Sequence, residues 1–399
     1  MLLDLTHTSH TSARTGIQRL TRALYTHLGD RATPVTRDPF LGVWRALEPW
    51  EHATLARGEA GAKRSASWPR AAKWRGRWRR ATGQAARRAI RDDPDGVIVP
   101  EFFSPRVAAD LPRLFAATTG PRIAVFCDAI ALKLPELTPP GTVARYPGYL
   151  RELLQFDGVA AISEDSRDTL LEYWQWLGAR DVPRVEAIPL AIDDQPPAPL
   201  AAGSAGAPPA ADAARAVVLT VGSLEGRKNH LALFDACEQL WSRGLDFELH
   251  VVGFAQAQTG HRALTRLREL QAAGRPLRYD GAVSDAAIAR AYAACAFTVY
   301  PSLMEGFGLP VLESLARGKP CICSAQGALG ESARDGGCLA LPRVDIPSLA
   351  TAIAALLEDP ARRAALSAAA RRRTFRSWRN YADDLAAWLR VLSRRPDLT

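Results

Sequence analysis

Residues 297–318 constrain the fold of this chain more than any other stretch. Phe297-Thr-Val-Tyr300 is short, apolar and β-prone, which reads as a buried strand. A loop bearing Gly306 and Gly308 follows, where backbone can approach a ligand closely. Pro310 suits a first helical position, Val311, Leu312, Leu315 and Ala316 supply an apolar face, and Gly318 stops the helix. Loop amides at a helix start, with the helix dipole, favour an anion such as phosphate. Glu305 and Glu313 bracket the loop, eight positions apart. A loop carboxylate and one in the first helical turn can accept hydrogen bonds from sugar hydroxyls. The stretch offers a phosphate cradle with two hydroxyl clamps, which suits a nucleotide-sugar. The blander alternative makes Glu305 a solvated loop residue and Glu313 a helix-dipole partner.

The same strand–loop–helix unit recurs. Val217-Val-Leu-Thr-Val221 precedes the loop Gly222-Ser-Leu-Glu-Gly-Arg-Lys-Asn229 and a helix from His230 to Arg243. Arg227 and Lys228 stand near that helix start, where cations oppose the dipole, so an anionic ligand is the attractive reason for them. No G-x-G-x-x-G occurs there, which argues against a dinucleotide fingerprint. Strands are expected at 247–252, 277–281 and 321–324, with Ser284 capping a helix through Ala294. At the other end, Leu2–Leu5 reads as a strand, 7–15 as a polar loop ending near Gly16, and Ile17, Leu20, Ala23, Leu24 and Leu28 as one helix face. Further strands are expected at 97–100, 123–126, 160–163 and 185–190, with Ser163 a helix cap.

The string Glu305-Gly-Phe-Gly-Leu-Pro-x-x-Glu313 resembles the donor-binding motif of retaining GT-B glycosyltransferases of family GT4, the glycosyl transferases group 1 that include bacterial polysaccharide and lipopolysaccharide mannosyltransferases. Gly226-Arg-Lys-Asn229 is similar to the family's diphosphate motif, Thr15-Gly-Ile-Gln-Arg19 to its N-terminal loop, and Gln326–Glu331 to a loop facing the donor sugar. The resemblance implies two doubly wound Rossmann-like domains facing a central cleft. It implies transfer of a hexose, mannose-type favoured, from a nucleotide diphosphate-sugar to a hydroxyl of a saccharide or lipid-linked acceptor, in surface polysaccharide biosynthesis. Arg227, Lys228 and Glu305 are the implied catalytic residues. Gly16, Gly222, Gly306, Phe307, Gly308, Leu309 and Glu313 complete the donor site, Glu313 toward the ribose and Glu305 toward the sugar. A leaving phosphate oxygen takes the acceptor proton in this family, and neither cofactor nor metal is expected. The segment from Val125 resembles the family's strand end that carries His-Asp, which makes Cys127 and Asp128 the acceptor-side candidates; Cys127 stands in place of the histidine, which puts that residue's role in acceptor positioning in doubt. A GT-B nucleotide-sugar epimerase and a non-catalytic nucleotide-sugar-binding protein stay as alternatives.

Domain bounds follow from punctuation: residues 1–193, a Pro-, Ala- and Gly-rich linker at 194–215, a second domain at 216–375, and a final helix at 376–399 that the family packs back on the first domain. Residues 40–92 read as an insertion, where Lys and Arg crowd between 57 and 91 against Glu59 alone, interleaved with Trp68, Trp74 and Trp78. Trp74 and Trp78 would share one side of a helix. Such a run suits an anionic membrane surface, a solvated insertion or, least, single-stranded nucleic acid; no RNA-binding signature accompanies it. The formal net charge of +9 also points to anionic partners. Cysteines at 127, 237, 295, 321, 323 and 338 form no C-x-x-C pair and read as small buried hydrophobes in a reducing compartment. The charged start makes a signal peptide unexpected, and no apolar run of about 18 residues predicts a span. The expected place of work is the cytoplasm, peripheral to the inner face of the membrane.

Overall fold

Strands covered on both faces read as near-continuous apolar runs, and the sheets here are built from such runs. The structure is a computed structural model that describes residues 1–13, 15–56, 66–85, 89–90, 95–192 and 215–395. It divides into two units, one drawing on Met1–Asp128, Arg145–Leu190 and Trp378–Thr399, the other on Ala129–Ala144 and Ala191–Ser377. The linker expected at 194–215 lies almost wholly outside the described residues.

In the second unit the strands are β8 (Ala216–Val221), β9 (Phe247–Val252), β10 (Leu277–Gly281), β11 (Phe297–Tyr300), β12 (Cys321–Ser324) and β13 (Cys338–Leu341). They form a parallel sheet in the order β10-β9-β8-β11-β12-β13. Val218, Phe247, Leu249, Val251, Phe297, Val299 and Ile322 pack on one face with helices His230–Ser242, His261–Ala272 and Ile346–Glu358. Leu219 and Val252 meet Tyr292 of helix Asp285–Ala294 and Cys295, which follows it, on the other face. Helices on both faces make the sheet doubly wound. The strand order reverses between β8 and β11, and in such sheets ligands bind outside the carboxyl ends of the strands at that switch point.

The first unit holds β1 (Leu2–Asp4), β2 (Thr33–Asp38), β3 (Val43–Ala46), β4 (Val97–Val99), β5 (Arg122–Phe126), β6 (Gly158–Ala161) and β7 (Arg184–Ala187), in the order β3-β2-β1-β4-β5-β6-β7. Only β3 runs antiparallel, against β2. The helix Trp378–Val391 lies in this unit and buries Trp378, Tyr381, Leu385 and Leu389 beside helix Gly16–Leu28. Gly158 makes room for it: a Cβ there would lie 2.6 Å from the Trp388 ring.

Two differences from the sequence reading stand out. Residues 40–92, expected as an insertion, begin inside the sheet, because β3 pairs with β2 from Val35↔Ala46 to Asp38↔Val43. Both strands escaped notice because Pro34 and interleaved charges break their apolar pattern. A buried polar network then binds the stretch to the loop after β1. Arg45, 4% exposed, reaches Asp38 at 2.9 Å and Glu51 at 2.7 Å, and Glu51 meets His10 Nε2 at 2.7 Å. Trp68 stacks on the His10 ring at 4.0 Å, and the Glu101 carboxylate accepts from the amides of His7 and Thr8 at 2.7 and 2.8 Å. Second, residues 129–144, expected in the first domain, belong to the second unit; Leu137 stands there close enough that a Cβ at Gly226 would lie 3.0 Å from it. Among the described residues no helix is long and apolar enough to cross a membrane.

Candidate functional site

The carboxyl ends of β8 and β11, flanking the switch point, carry the residues that the sequence singles out. After β8, Gly222 takes φ +154°, and a Cβ there would sit 3.9 Å from the Lys228 Nζ. A tight turn, Gly226–Lys228, presents Arg227 and Lys228, and Asn229 at φ +56° starts helix His230–Ser242. The Asn229 amide group donates to the Val344 carbonyl at 2.7 Å, pinning that turn. After β11, the chain runs through Ser302–Gly308 into helix Leu309–Ala316, one residue earlier than Pro310 suggests. Gly308 has φ +104°, which favours glycine, and its Cβ position is occupied by Leu329 at 2.8 Å. The Ser332 hydroxyl donates to the Phe307 carbonyl at 2.9 Å.

The two loops are joined by charge. Glu305 Oε2 pairs with Arg227 Nη1 at 2.8 Å, and Glu305 Oε1 with Lys228 Nζ at 2.6 Å. The Leu303 amide donates to the Arg227 carbonyl at 2.9 Å. Tyr300, the last residue of β11, donates to Glu305 at 3.0 Å; Lys228 bonds its hydroxyl and lies over its ring at 4.6 Å. Sequence reasoning missed Tyr300, whose one signal was its place at the strand end before the loop. It also missed Glu225, 3.4 Å from Arg227 Nε.

These contacts fix the ionisation states. Burial alone would raise the Glu305 pKa, but Arg227 and Lys228 hold it at about 2. Burial alone would lower that of Arg227, but Glu305 and Glu225 raise it above its ordinary value. Burial, and after it Arg227, pulls Lys228 below its ordinary value against the opposing pull of Glu305. Burial, then Lys228, lowers His230 to about 3, so its ring is neutral. Side-chain exposure falls from 21% at Arg227 to 9% at Lys228, so Arg227 is the more open of the two cations.

Glu313 lies on helix Leu309–Ala316, where Tyr292 donates to it at 3.5 Å. Gln326–Glu331, expected as a loop, is instead the cap and opening turn of helix Gly327–Ala333. An open depression of about 600 Å³ beside it is lined by Asn229, Leu303, Ser324, Gln326 and Arg343. The remaining candidates lie in the first unit. Gly16 is exposed at the start of helix Gly16–Leu28, whose Thr15 and Gln18 form a capping box, and its Cβ position is open space. Cys127 and Asp128 follow β5. Their carbonyls accept from Ser166 and Tyr146, and burial, then Asp128, raises the Cys127 thiol.

Comparison with known proteins places this geometry in a class. Residues 207–373 match the family described as Glycosyl transferases group 1. Over the whole length, the chain is similar to sucrose-phosphate synthase from Thermosynechococcus elongatus (TM-score 0.67, 21% identity, 98% of each chain). HepE from Anabaena, solved with UDP and glucose, has the same TM-score of 0.67 at 15% identity over 98% of this chain and 99% of that one. The fold is therefore GT-B, two parallel-sheet α/β units. Within that class, the match to glycosyl transferases group 1 falls in the second unit. Curated relatives include the serotype-specific mannosyltransferase WbdA of Escherichia coli, 28% identical over 49% of this chain and 25% of that protein. The O-antigen chain mannosyltransferase B of Escherichia coli is 34% identical over 35% of this chain and 36% of its own length. The alignments thus span about a quarter to a third of these relatives.

Proposed function

We propose that the chain transfers a hexose, mannose-type, from a nucleoside diphosphate-sugar to a hydroxyl of a saccharide acceptor in surface polysaccharide synthesis, with retention at the anomeric carbon. The observation that carries this is the joined Arg227–Lys228–Glu305 cluster at the switch point of the second sheet. Bond cleavage between C1 of the sugar and its phosphate oxygen leaves growing negative charge on a diphosphate. Fixed cations aimed at developing charge lower the barrier because they need no reorganisation during reaction. Arg227 and Lys228 supply such cations, and Glu305 holds both in register. The acceptor oxygen bonds C1 on the face the diphosphate leaves, and a phosphate oxygen takes the acceptor proton. With the charge met by side chains, no metal is required. Glu313 is the partner for the ribose, and the first unit offers Gly16, Cys127 and Asp128 toward acceptor and diphosphate. The relatives' names favour mannose, and the acceptor in this proposal is lipid-linked and met at the inner face of the cytoplasmic membrane.

A thermal-shift screen of nucleoside diphosphate-sugars tests the donor, because a ligand that binds only the folded state raises Tm by mass action. NMR of the product tests the anomer, and turnover in EDTA tests the metal. A product of inverted configuration, or activity lost in EDTA and restored by manganese, refutes the corresponding part. Sugar epimerised without acceptor would point to the epimerase reading instead.

A further inference from the structure

Helix Arg70–Ala81 has two faces of opposite character. Ala72 and Gly76, one turn apart, are buried. A Cβ at Gly76 would lie 2.8 Å from the Phe40 Cβ, so only a bare backbone lets the helix lie this close to the body of the first unit. Arg75 and Arg79 tether it by reaching Glu48 at 2.8 and 3.0 Å. On the opposite side Trp74 and Trp78, also one turn apart, are 72% and 59% exposed. Arg70 is exposed, Arg77 reaches back over the Phe40 ring at 5.6 Å, the Arg80 guanidinium lies beside Gly42, and the helix holds no acidic residue. Among the described residues no carboxylate pairs with those three arginines.

Two indoles side by side in water are unfavourable unless something covers them. Their chemistry says what does. Indole rings settle at the headgroup level of a bilayer, with an apolar body inward and an N–H toward water. Arginines beside them meet anionic lipid phosphates. Single-stranded nucleic acid fits less well, since its binders set aromatic rings along a cationic groove, whereas these rings project from the outer side of a helix.

We infer that the Trp74–Trp78 face is a docking surface for an anionic bilayer, with Arg70 beside the indoles and Arg77 and Arg80 adding positive charge to the helix that the lipid phosphates meet. This deepens the lipid-linked acceptor reading above by naming the surface that meets the lipid, and rests on that reading for its purpose alone. The attachment is reversible and salt-sensitive, because the Debye length falls from about 10 Å at 0.1 M to about 3 Å at 1 M.

The test is sedimentation of the full chain with vesicles of phosphatidylglycerol in phosphatidylcholine, against phosphatidylcholine alone. Two variants accompany it, Trp74→Ala with Trp78→Ala, and Arg70→Ser with Arg77→Ser and Arg80→Ser. Both spare Arg75 and Arg79, so the helix keeps its ion pairs with Glu48. The expected result is pelleting with the anionic vesicles only, release at 1 M salt, and a loss of about tenfold or more in vesicle affinity for each variant. Quenching of the intact chain's tryptophan fluorescence by brominated phospholipid needs no variant and is expected as well. Equal pelleting with both lipids, no pelleting, no quenching, or a tryptophan variant that binds as the parent does would overturn the inference. So would a single-stranded oligonucleotide whose binding the tryptophan pair alone abolishes. Thermal shifts with nucleoside diphosphate, run in parallel, report the donor reading separately: their absence beside intact vesicle binding would sink that reading and leave this one.

Discussion

Each unit buries a network of charges, and the two networks differ in one respect. In the first unit, Arg45, Asp38, Glu51 and His10 are closed on themselves and within 5% of full burial. Glu51 takes two guanidinium bonds, a histidine and the Glu48 amide, which leaves its carboxylate nothing to offer a ligand. In the second unit, Glu305 is equally well paired, yet the cations that pair with it stand at strand ends beside Gly222, with Arg227 still a fifth exposed. The first network serves as scaffold, because a buried charge with every partner present resists change. The second can trade partners, because an incoming anion would meet cations that stand at the strand ends. Buried charge thus marks a site only where it lies open at one side.

The largest effect should fall on the closed network. Arg45→Ala leaves Glu51 and Asp38 buried without their cation and should cost about 3–5 kcal/mol of stability, seen in the urea midpoint. An unchanged midpoint would break the contrast. Next, Lys228→Ala should lower kcat by about 10²–10³ with the urea midpoint nearly kept, as for loss of one donor to a developing oxyanion. A large fall in stability instead would make Lys228 scaffold too. Arg227→Ala should weaken nucleoside diphosphate binding by about 1.5–3 kcal/mol in calorimetry, the scale of hydrogen bonds to charged groups.

The glutamates sharpen the contrast further. Glu313→Gln should weaken a bare nucleoside diphosphate by about 1 kcal/mol, whereas Glu305→Gln should mostly lower turnover. The reverse pattern would exchange their roles.

A pH-dependent effect in the first unit concerns Asp4, buried in β1. Burial, then Glu101, raises its pKa from the ordinary 3.8 to about 7. Between those values the folded state keeps a proton the unfolded chain has released, so stability falls as pH rises across that window. Asp4→Asn should flatten the fall and raise Tm at pH 8 while leaving it nearly unchanged below pH 4, each kcal/mol being about 2–4 °C. Equal slopes in melting curves of both proteins would contradict this.

Legibility tracked sequence distance. β11, β12 and the Ser284 cap lie where the apolar runs and hydroxyl put them. β2 and β3 did not, because Pro34, Arg37 and Arg45 interrupt the pattern and only pairing with β1 makes the edge worthwhile. β13 was missed as a four-residue strand after two glycines.

The sequence alone specified the parts of the candidate site, since Gly222–Asn229 and Glu305–Glu313 are short strings whose chemistry is local. It also determined the alternation of strand and helix, and the two tryptophans one turn apart. Folding in three dimensions alone brought Glu305 to Arg227 and Lys228 across 78 and 77 positions, with Tyr300 joining them. It alone showed that His10, Arg45, Glu51 and Glu101 underpin one loop. The physical reason is range: capping and periodicity act within a turn or two, whereas ion pairs form between whichever groups the sheet order brings within a few ångströms.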